Sequence, residues 1–515
     1  MNTLAELLES SLRTHAELVA LEEGDRQCSY SEVNRRSGDI ATELRRRGVG
    51  PGCLVGILLN RSTRYVEALF AVIRVGAAFL PLDPREPEDR LRHVLDEARP
   101  CVVMTDGSAK VDMSVNEGVY NLEGGKPNTR QRHQHSTAIQ DSGFDESRVA
   151  YVLYTSGSTG RPKGVCNTEA GLLNRLLWTQ SEFVLTTDDC VAQKTPHTFD
   201  VSVWEFLWPF LAGARLAIAS MNQQFDPRYL VKFIGRHNVT VMHFVPSLLS
   251  HFLGSGLTEA TASNVRSIRQ VICSGEELVL STFEQYLRYF DAPLANLYGP
   301  TEAAIDVTAF KTRRRQTAPV PIGRPIANAN VFPVGSDLVK TDDGTEGELL
   351  ITGTPVGLGY LNQPEETAYR FVELDNDALG ARGFRTGDLG YVDDRGDLVF
   401  VRRLDDQLKV RGVRIEPGEI ESTITRTCAG VYQSAVVAIG AGDRKRLVAF
   451  LSVDPSARPG PDEDELRRNL LRSLPLSHVP SVFSVIPELP LTKHGKLDRR
   501  RLADLAEEQY STRRL

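Results

Sequence analysis

Two rhythms of apolar and polar positions alternate along the chain. Short β-branched runs such as "VAYVLY" (149–154), "DLVFV" (397–401), "SAVVAI" (434–439) and "RLVAFLSV" (446–453) predict buried strands. Between them, "YVEALFAVIRVG" (65–76), "AGLLNRLLW" (170–178) and "YLVKFIGRHN" (229–238) space their apolar residues at helical intervals. Such alternation predicts α/β layers. The opening "MNTLAELLESSLRTHAEL" reads as an amphipathic, acidic helix, unlike a secretory leader. Residues 105–148 are polar and irregular and read as a surface excursion. From "RRLDDQLKVRG" (402–412) onward the charge becomes dense. There "EPGEIESTITRT" and "DEDELRRNLLRSL" predict helices alternating with two short strands, a small lobe of its own. The expected division is a large body over 1–404 and a small α+β lobe over 405–515.

Composition narrows the classes. A chain of 515 residues with 41% hydrophobic and 25% charged content has core enough for several subdomains. Sixty Lys and Arg against 67 Asp and Glu give a net charge of −7, without the basic footprint of a nucleic-acid binder. No apolar run is long enough to span a bilayer, since "LFAVIRVGAAFLPL" carries Arg74 in its middle. The seven cysteines are scattered, with no C-x-x-C pair, and read as reduced thiols of a cytoplasmic protein.

The chemistry starts at "YTSGSTGRPKGV" (154–165), which follows a strand signal. A Gly-, Ser- and Thr-rich loop in that place lets backbone N–H groups and hydroxyls converge on phosphate oxygens. The spacing Gly157-x-x-Gly160-x-x-Lys163 followed by Gly164 fits neither the P-loop pattern nor G-x-G-x-x-G. A flexible surface turn is the alternative for the loop taken alone.

The loop has company. "VGAAFLPLDP" (75–84), "FDVSVWE" (199–205), "NLYGPTEA" (296–303), "GELLITG" (347–353), "FRTGDLG" (384–390), "DDQLKVRGVRIEPGEIE" (405–421) and "LPLTKHGKLDRR" (489–500) follow in order across nearly the whole chain. With the loop they resemble the motif series of adenylate-forming enzymes, and within them the adenylation domains of nonribosomal peptide synthetases. The resemblance implies ATP and Mg²⁺ as cofactors, a large body of packed α/β subdomains and a small mobile lobe. Thr155, Ser156, Gly157, Ser158, Thr159, Gly160 and Lys163 would hold the β- and γ-phosphates. Thr301 would contact the α-phosphate and Glu302 would ligate Mg²⁺. Tyr298 would stack on adenine near Gly275, Asn296 and Gly299. Asp388 would accept from the ribose, with Phe400 and Arg403 beside it. Lys496, a position where an isolated lysine is ordinarily a solvated side chain, would bridge the substrate carboxylate and phosphate. Asp405 would be the hinge, with Lys409, Arg411 and Gly412 lining a tunnel for an incoming thiol.

"FDVSVWE" bears on the substrate. By the same resemblance, Asp200 pairs with an α-ammonium, which acyl- and aryl-acid activators lack. The pocket positions are then Asp200, Val201, Trp204, His243, Ile272, Ser274, Leu297, Ile305, Asp306 and Lys496. Trp204, Ile272, Leu297 and Ile305 would wall a small space, with His243, Ser274 and Asp306 as a polar cluster at its end. His243 alone would read as a core histidine. A hydroxyl side chain satisfies such a cluster, and the pattern resembles a serine-selecting pocket, so L-serine is the expected substrate. A carrier protein in trans is the expected acceptor, and an MbtH-like activator a further partner. An acyl- or aryl-CoA ligase and a non-catalytic nucleotide-binding module are the competing readings. Arg402, Lys493 and His494 depart from the usual pattern near the hinge and the catalytic lysine.

Overall fold

A computed structural model describes residues 3–108, 118–122, 149–157, 161–258, 261–313, 315–374, 382–453, 462–492 and 497–510. Ser158, Thr159, Gly160, Lys493, His494 and Lys496 therefore lie outside the described residues. The chain separates into two compact units. One holds Met1–Pro84, Leu95–Leu153 and Gly164–Leu404; the other holds Arg85–Val94, Tyr154–Lys163 and Asp405–Leu515.

The fold is α/β. A nine-stranded sheet runs in the order Arg324–Pro325, Thr308–Lys311, Leu294–Tyr298, Gln270–Cys273, Val241–Phe244, Cys190–Gln193, Arg215–Ile218, Val19–Glu23 and Arg26–Ser29. Its middle is parallel: Val241–Phe244 pairs in register with Gln270–Cys273, and that strand with Leu294–Tyr298. Every residue of these three strands is buried, as a sheet covered on both faces requires. A seven-stranded sheet has Gly359–Tyr360, Lys163–Thr168, Val149–Thr155, Ala78–Leu82, Leu54–Leu58, Val102–Thr105 and Val119–Asn121 in that order. The last of these corrects the reading of 105–148 as irregular throughout. Val119–Asn121 is an edge strand, parallel to Val102–Thr105 and only partly buried, so it carries no apolar signal.

The helix Val201–Ala212 packs on Cys190–Gln193 and Arg215–Ile218 of the nine-stranded sheet and is buried over Ser202–Phe210. It is mostly apolar because little of it meets water, and its buried Glu205 accepts from the Thr195 hydroxyl at 2.7 Å. Asp200 precedes it, and its carboxylate accepts from the Val201 N–H at 2.7 Å.

The smaller unit contains more strands than its charge-rich sequence suggests. Val431–Ile439, Arg446–Val453 and Val482–Val485 form one sheet, and Leu408–Val410 with Val413–Ile415 forms a separate hairpin. Lys409, Arg411 and Arg414 conceal that hairpin in the sequence. Arg411 and Gly412 turn it with φ of 53° and 76°, the positive pair a two-residue hairpin loop favours. Ile415, Ile420, Ile424, Leu466 and Leu470 form part of this unit's own core.

Candidate active site

The candidate residues of the larger unit gather at the carboxyl ends of parallel strands, where an α/β sheet leaves backbone and side chains open to a ligand. His243 lies in Val241–Phe244, Ile272 in Gln270–Cys273 with Ser274 and Gly275 just beyond, and Asn296, Leu297 and Tyr298 close Leu294–Tyr298. After Gly299 the chain makes the turn Thr301–Asp306. A Cβ on Gly299 would meet the Asp306 Cα and the Ile305 carbonyl at 2.5 Å, so only glycine allows this approach. Ala304 and Ile305 take φ of 50° and 84°, a strained conformation for a β-branched residue. Asn167 braces the turn: its Nδ2 donates to the Thr301 carbonyl at 2.9 Å and its Oδ1 accepts from the Ala304 N–H at 3.2 Å. Nothing in the sequence pattern singled out Asn167.

Glu302 comes from this turn fully buried, and Tyr360 donates its hydroxyl to Oε1 at 2.8 Å. Among the described residues no group of three or more His, Cys, Asp or Glu is placed to hold a metal ion. A single oriented carboxylate fits Mg²⁺, which takes one or two protein oxygens and completes its shell with phosphate and water.

Thr301 donates its hydroxyl to Asp200 Oδ2 at 2.6 Å. Burial pushes the Asp200 carboxyl up to about 6, against the pull of the Thr301 and Val201 donors and with a push from Asp306 and Glu302. Asp200 is thus a buried carboxylate with no cation beside it among the described residues. An ammonium group would supply one.

Trp204, Ile272, Leu297 and Ile305 are buried in one apolar cluster. His243 Nε2 lies 3.0 Å from the Ser274 hydroxyl, and its ring meets Trp204 edge-on at 6.2 Å. Burial holds the imidazole well below its ordinary range, with the charges of Lys194 and Arg175 pushing the same way, so it is neutral. Its Nδ1 has no partner among the described residues. Asp306, expected in a polar cluster with these two groups, takes Arg175 as its partner. Its Oδ2 accepts from Arg175 Nη2 at 2.8 Å, both side chains being buried. Sequence reasoning missed Arg175 because an arginine on a helix is ordinarily a solvated one.

Tyr298 donates its hydroxyl to Asp388 Oδ2 at 2.5 Å, and Arg403 Nη1 donates to Oδ1 at 2.8 Å. Burial, reinforced by the Asp388 charge, holds the Tyr298 phenol well above its ordinary value, so it remains a donor. Asn296 Nδ2 donates to the Pro321 carbonyl at 2.8 Å. Phe400 packs on the cluster that contains Tyr298 and Ile322.

Within the smaller unit, Ser156 donates to the Arg414 carbonyl at 2.9 Å, and Lys163 is buried. The Thr155 hydroxyl is buried with no partner among the described residues. A Cβ on Gly157 would lie 2.0 Å from the Arg161 carbonyl oxygen, which requires glycine there. Asp405 is exposed, and Arg402 donates to the Arg403 carbonyl at 3.1 Å.

Residues 8–361 match the family model described as AMP-binding enzyme. The chain belongs to the AMP-binding enzyme family. The matched span contains Asp200, the Thr301–Asp306 turn and the His243–Ser274 pair. Among this family member's relatives, zwittermicin A synthase ZmaJ of Bacillus cereus is 37% identical over 94% of this chain and 91% of that protein. Enterobactin synthase component F of Escherichia coli (strain K12) is 39% identical over 97% of this chain but only 39% of that protein. The chain thus spans about two fifths of the length of the enterobactin synthase relatives. The Vibrio cholerae adenylation domain AlmE, solved with glycyl-adenosine-5′-phosphate, covers 99% of this chain and 98% of its own at a TM-score of 0.82. At 23% identity that likeness establishes the shared fold. No helix among the described residues is long and apolar enough to cross a membrane.

Proposed function

We propose that this AMP-binding enzyme activates L-serine in the cytoplasm as seryl-AMP and passes the seryl group to the phosphopantetheine thiol of a carrier protein. The serine carboxylate attacks the α-phosphorus of ATP, the bond to the β-phosphate oxygen breaks, and pyrophosphate leaves. The thiol then attacks the seryl carbonyl carbon and AMP departs. The observation that carries the reading is the Thr301–Asp200 hydrogen bond at 2.6 Å. The residue assigned to the α-phosphate touches the residue assigned to the α-ammonium, so attacking and attacked groups are brought together.

Asp200 binds the ammonium, and Trp204, Ile272, Leu297 and Ile305 restrict the side chain. The neutral His243 and Ser274 offer it a donor and an acceptor. A site that hydrogen-bonds a hydroxyl rejects the analogue lacking it by up to about 10⁴-fold, which disfavours alanine. The extra methyl of threonine is excluded more weakly, by about 10–200-fold. Thr155, Ser156, Gly157, Ser158, Thr159, Gly160 and Lys163 take the terminal phosphates. Glu302 holds Mg²⁺, which supplies charge neutralisation at the phosphoryl oxygens. Tyr298, Gly275, Asn296, Gly299, Asp388, Phe400 and Arg403 take the nucleoside. Lys496 aligns the reacting carboxylate, Asp405 is the hinge, and Lys409, Arg411 and Gly412 guide the thiol arm. An MbtH-like activator is a further proposed partner.

The test is amino-acid-dependent ATP–pyrophosphate exchange across the twenty amino acids. Exchange is expected to be highest with L-serine; comparable exchange with alanine or threonine overturns the substrate assignment. Formation of serine hydroxamate without CoA thioesters separates this reading from a CoA ligase.

A further inference from the structure

The helix Glu169–Phe183 buries a guanidinium. Arg175 is fully buried; it donates to Asp306 at 2.8 Å and to the Thr179 hydroxyl, and lies 5.1 Å from the Trp178 ring centroid. Asp306 takes its second position in the pair from the strained turn that also presents Glu302. Other groups mark where this pair stands. Ile305, the neighbour of Asp306 in the chain, is buried in one cluster with Tyr151, Trp204, Ile272 and Leu297. Burial raises the Tyr151 phenol well above its ordinary value, with the charges of Asp200 and Asp306 adding to that and the charge of Arg175 opposing it. The Tyr151 hydroxyl and His243 Nδ1 have no partners among the described residues. Two opposite charges are therefore cancelled against each other beside the amine anchor and the His243–Ser274 pair.

We propose that Arg175 is a specificity-determining residue: by neutralising Asp306 it makes the side-chain end of the pocket accept a hydroxyl and refuse a charged group. An uncompensated Asp306 would attract a cationic side chain, and an uncompensated Arg175 an anionic one, because a buried charge without a partner is the costly state. The inference rests on the amino-acid pocket proposed above and adds charge selection by a helix residue outside the strand-end wall.

The experiment measures exchange with L-serine, L-2,3-diaminopropionate (serine with ammonium in place of hydroxyl) and L-aspartate. It compares the wild type, Arg175→Met, Asp306→Asn and the double variant, with circular dichroism confirming the fold. Arg175→Met is expected to raise the kcat/KM ratio of diaminopropionate to serine on the order of 100-fold, the effect of one desolvated charge pair. Asp306→Asn is expected to raise the aspartate-to-serine ratio in the same sense. A merely structural pair would lower all substrates together, so a folded single variant with the wild-type ratios overturns the proposal. Should neither single variant fold, the double variant decides: with both charges gone the preference for the neutral side chain is expected to stay, and a ratio that shifts toward diaminopropionate or aspartate overturns the proposal. If the wild type prefers another neutral amino acid, the serine assignment fails, and the charge ratios are read against that amino acid instead.

Discussion

Asp200 combines two properties that the motif "FDVSVWE" does not reveal. Its carboxyl is held near 6 by burial, and it is bonded by Thr301 at 2.6 Å. Because Asp200, the proposed ammonium anchor, must be ionised to act as one, the amino-acid KM is expected to rise tenfold per pH unit as pH falls below about 6, with little effect on the ATP KM. Initial rates across pH 5–8 check this. The sign for stability is opposite. Between the ordinary aspartate range and 6 the folded protein holds a proton that the unfolded chain has released, so this group's contribution rises as pH falls through that window. Thr301→Val removes a donor that stabilises the ionised form. The KM midpoint is then expected to move to higher pH, whereas Thr301→Ser keeps it in place. Asp200 and Thr301 were readable from sequence because they sit in motifs, and His243 and Ser274 because the resemblance assigns those positions to the pocket. Arg175 was not, since its meaning depends on a carboxylate 131 positions away along the chain.

At the level of elements, the turn Thr301–Asp306 shows how strain serves a site. Ile305 has φ of 84°, and the turn is held open by the two hydrogen bonds of Asn167. Asn167→Ala is expected to cost about 1–3 kcal/mol of stability by stranding buried backbone groups, and to raise the ATP KM. Chemical denaturation and exchange kinetics measure the two effects. Tyr360→Phe frees Glu302 Oε1 from its donor and is expected to raise the Mg²⁺ concentration needed for half-maximal exchange, with little loss at saturating Mg²⁺. Long buried strands and helices such as Val149–Thr155 and Thr63–Arg74 were legible because burial writes a period into the sequence. The edge strand Val119–Asn121 and the hairpin Leu408–Ile415 were not. Their hydrogen bonds are backbone bonds, and their exposed side chains need not be apolar.

For the molecule as a whole, the proposed mechanism has Lys496 align the reacting carboxylate. Lys496→Ala is expected to lower exchange by at least about 100-fold while nucleotide binding by fluorescence titration stays within a few-fold. Unimpaired exchange would remove that role. What residue order alone settled was the α/β class and the family, because a family's motifs place particular side chains at particular local spacings. What folding in three dimensions decided was pairing: Thr301 with Asp200, Tyr360 with Glu302, Asn167 with the strained turn, and Arg175 with Asp306, which had been expected in a polar cluster with His243 and Ser274. Partners brought together from distant segments leave no periodic trace, and a buried charge declares itself only through the group that neutralises it.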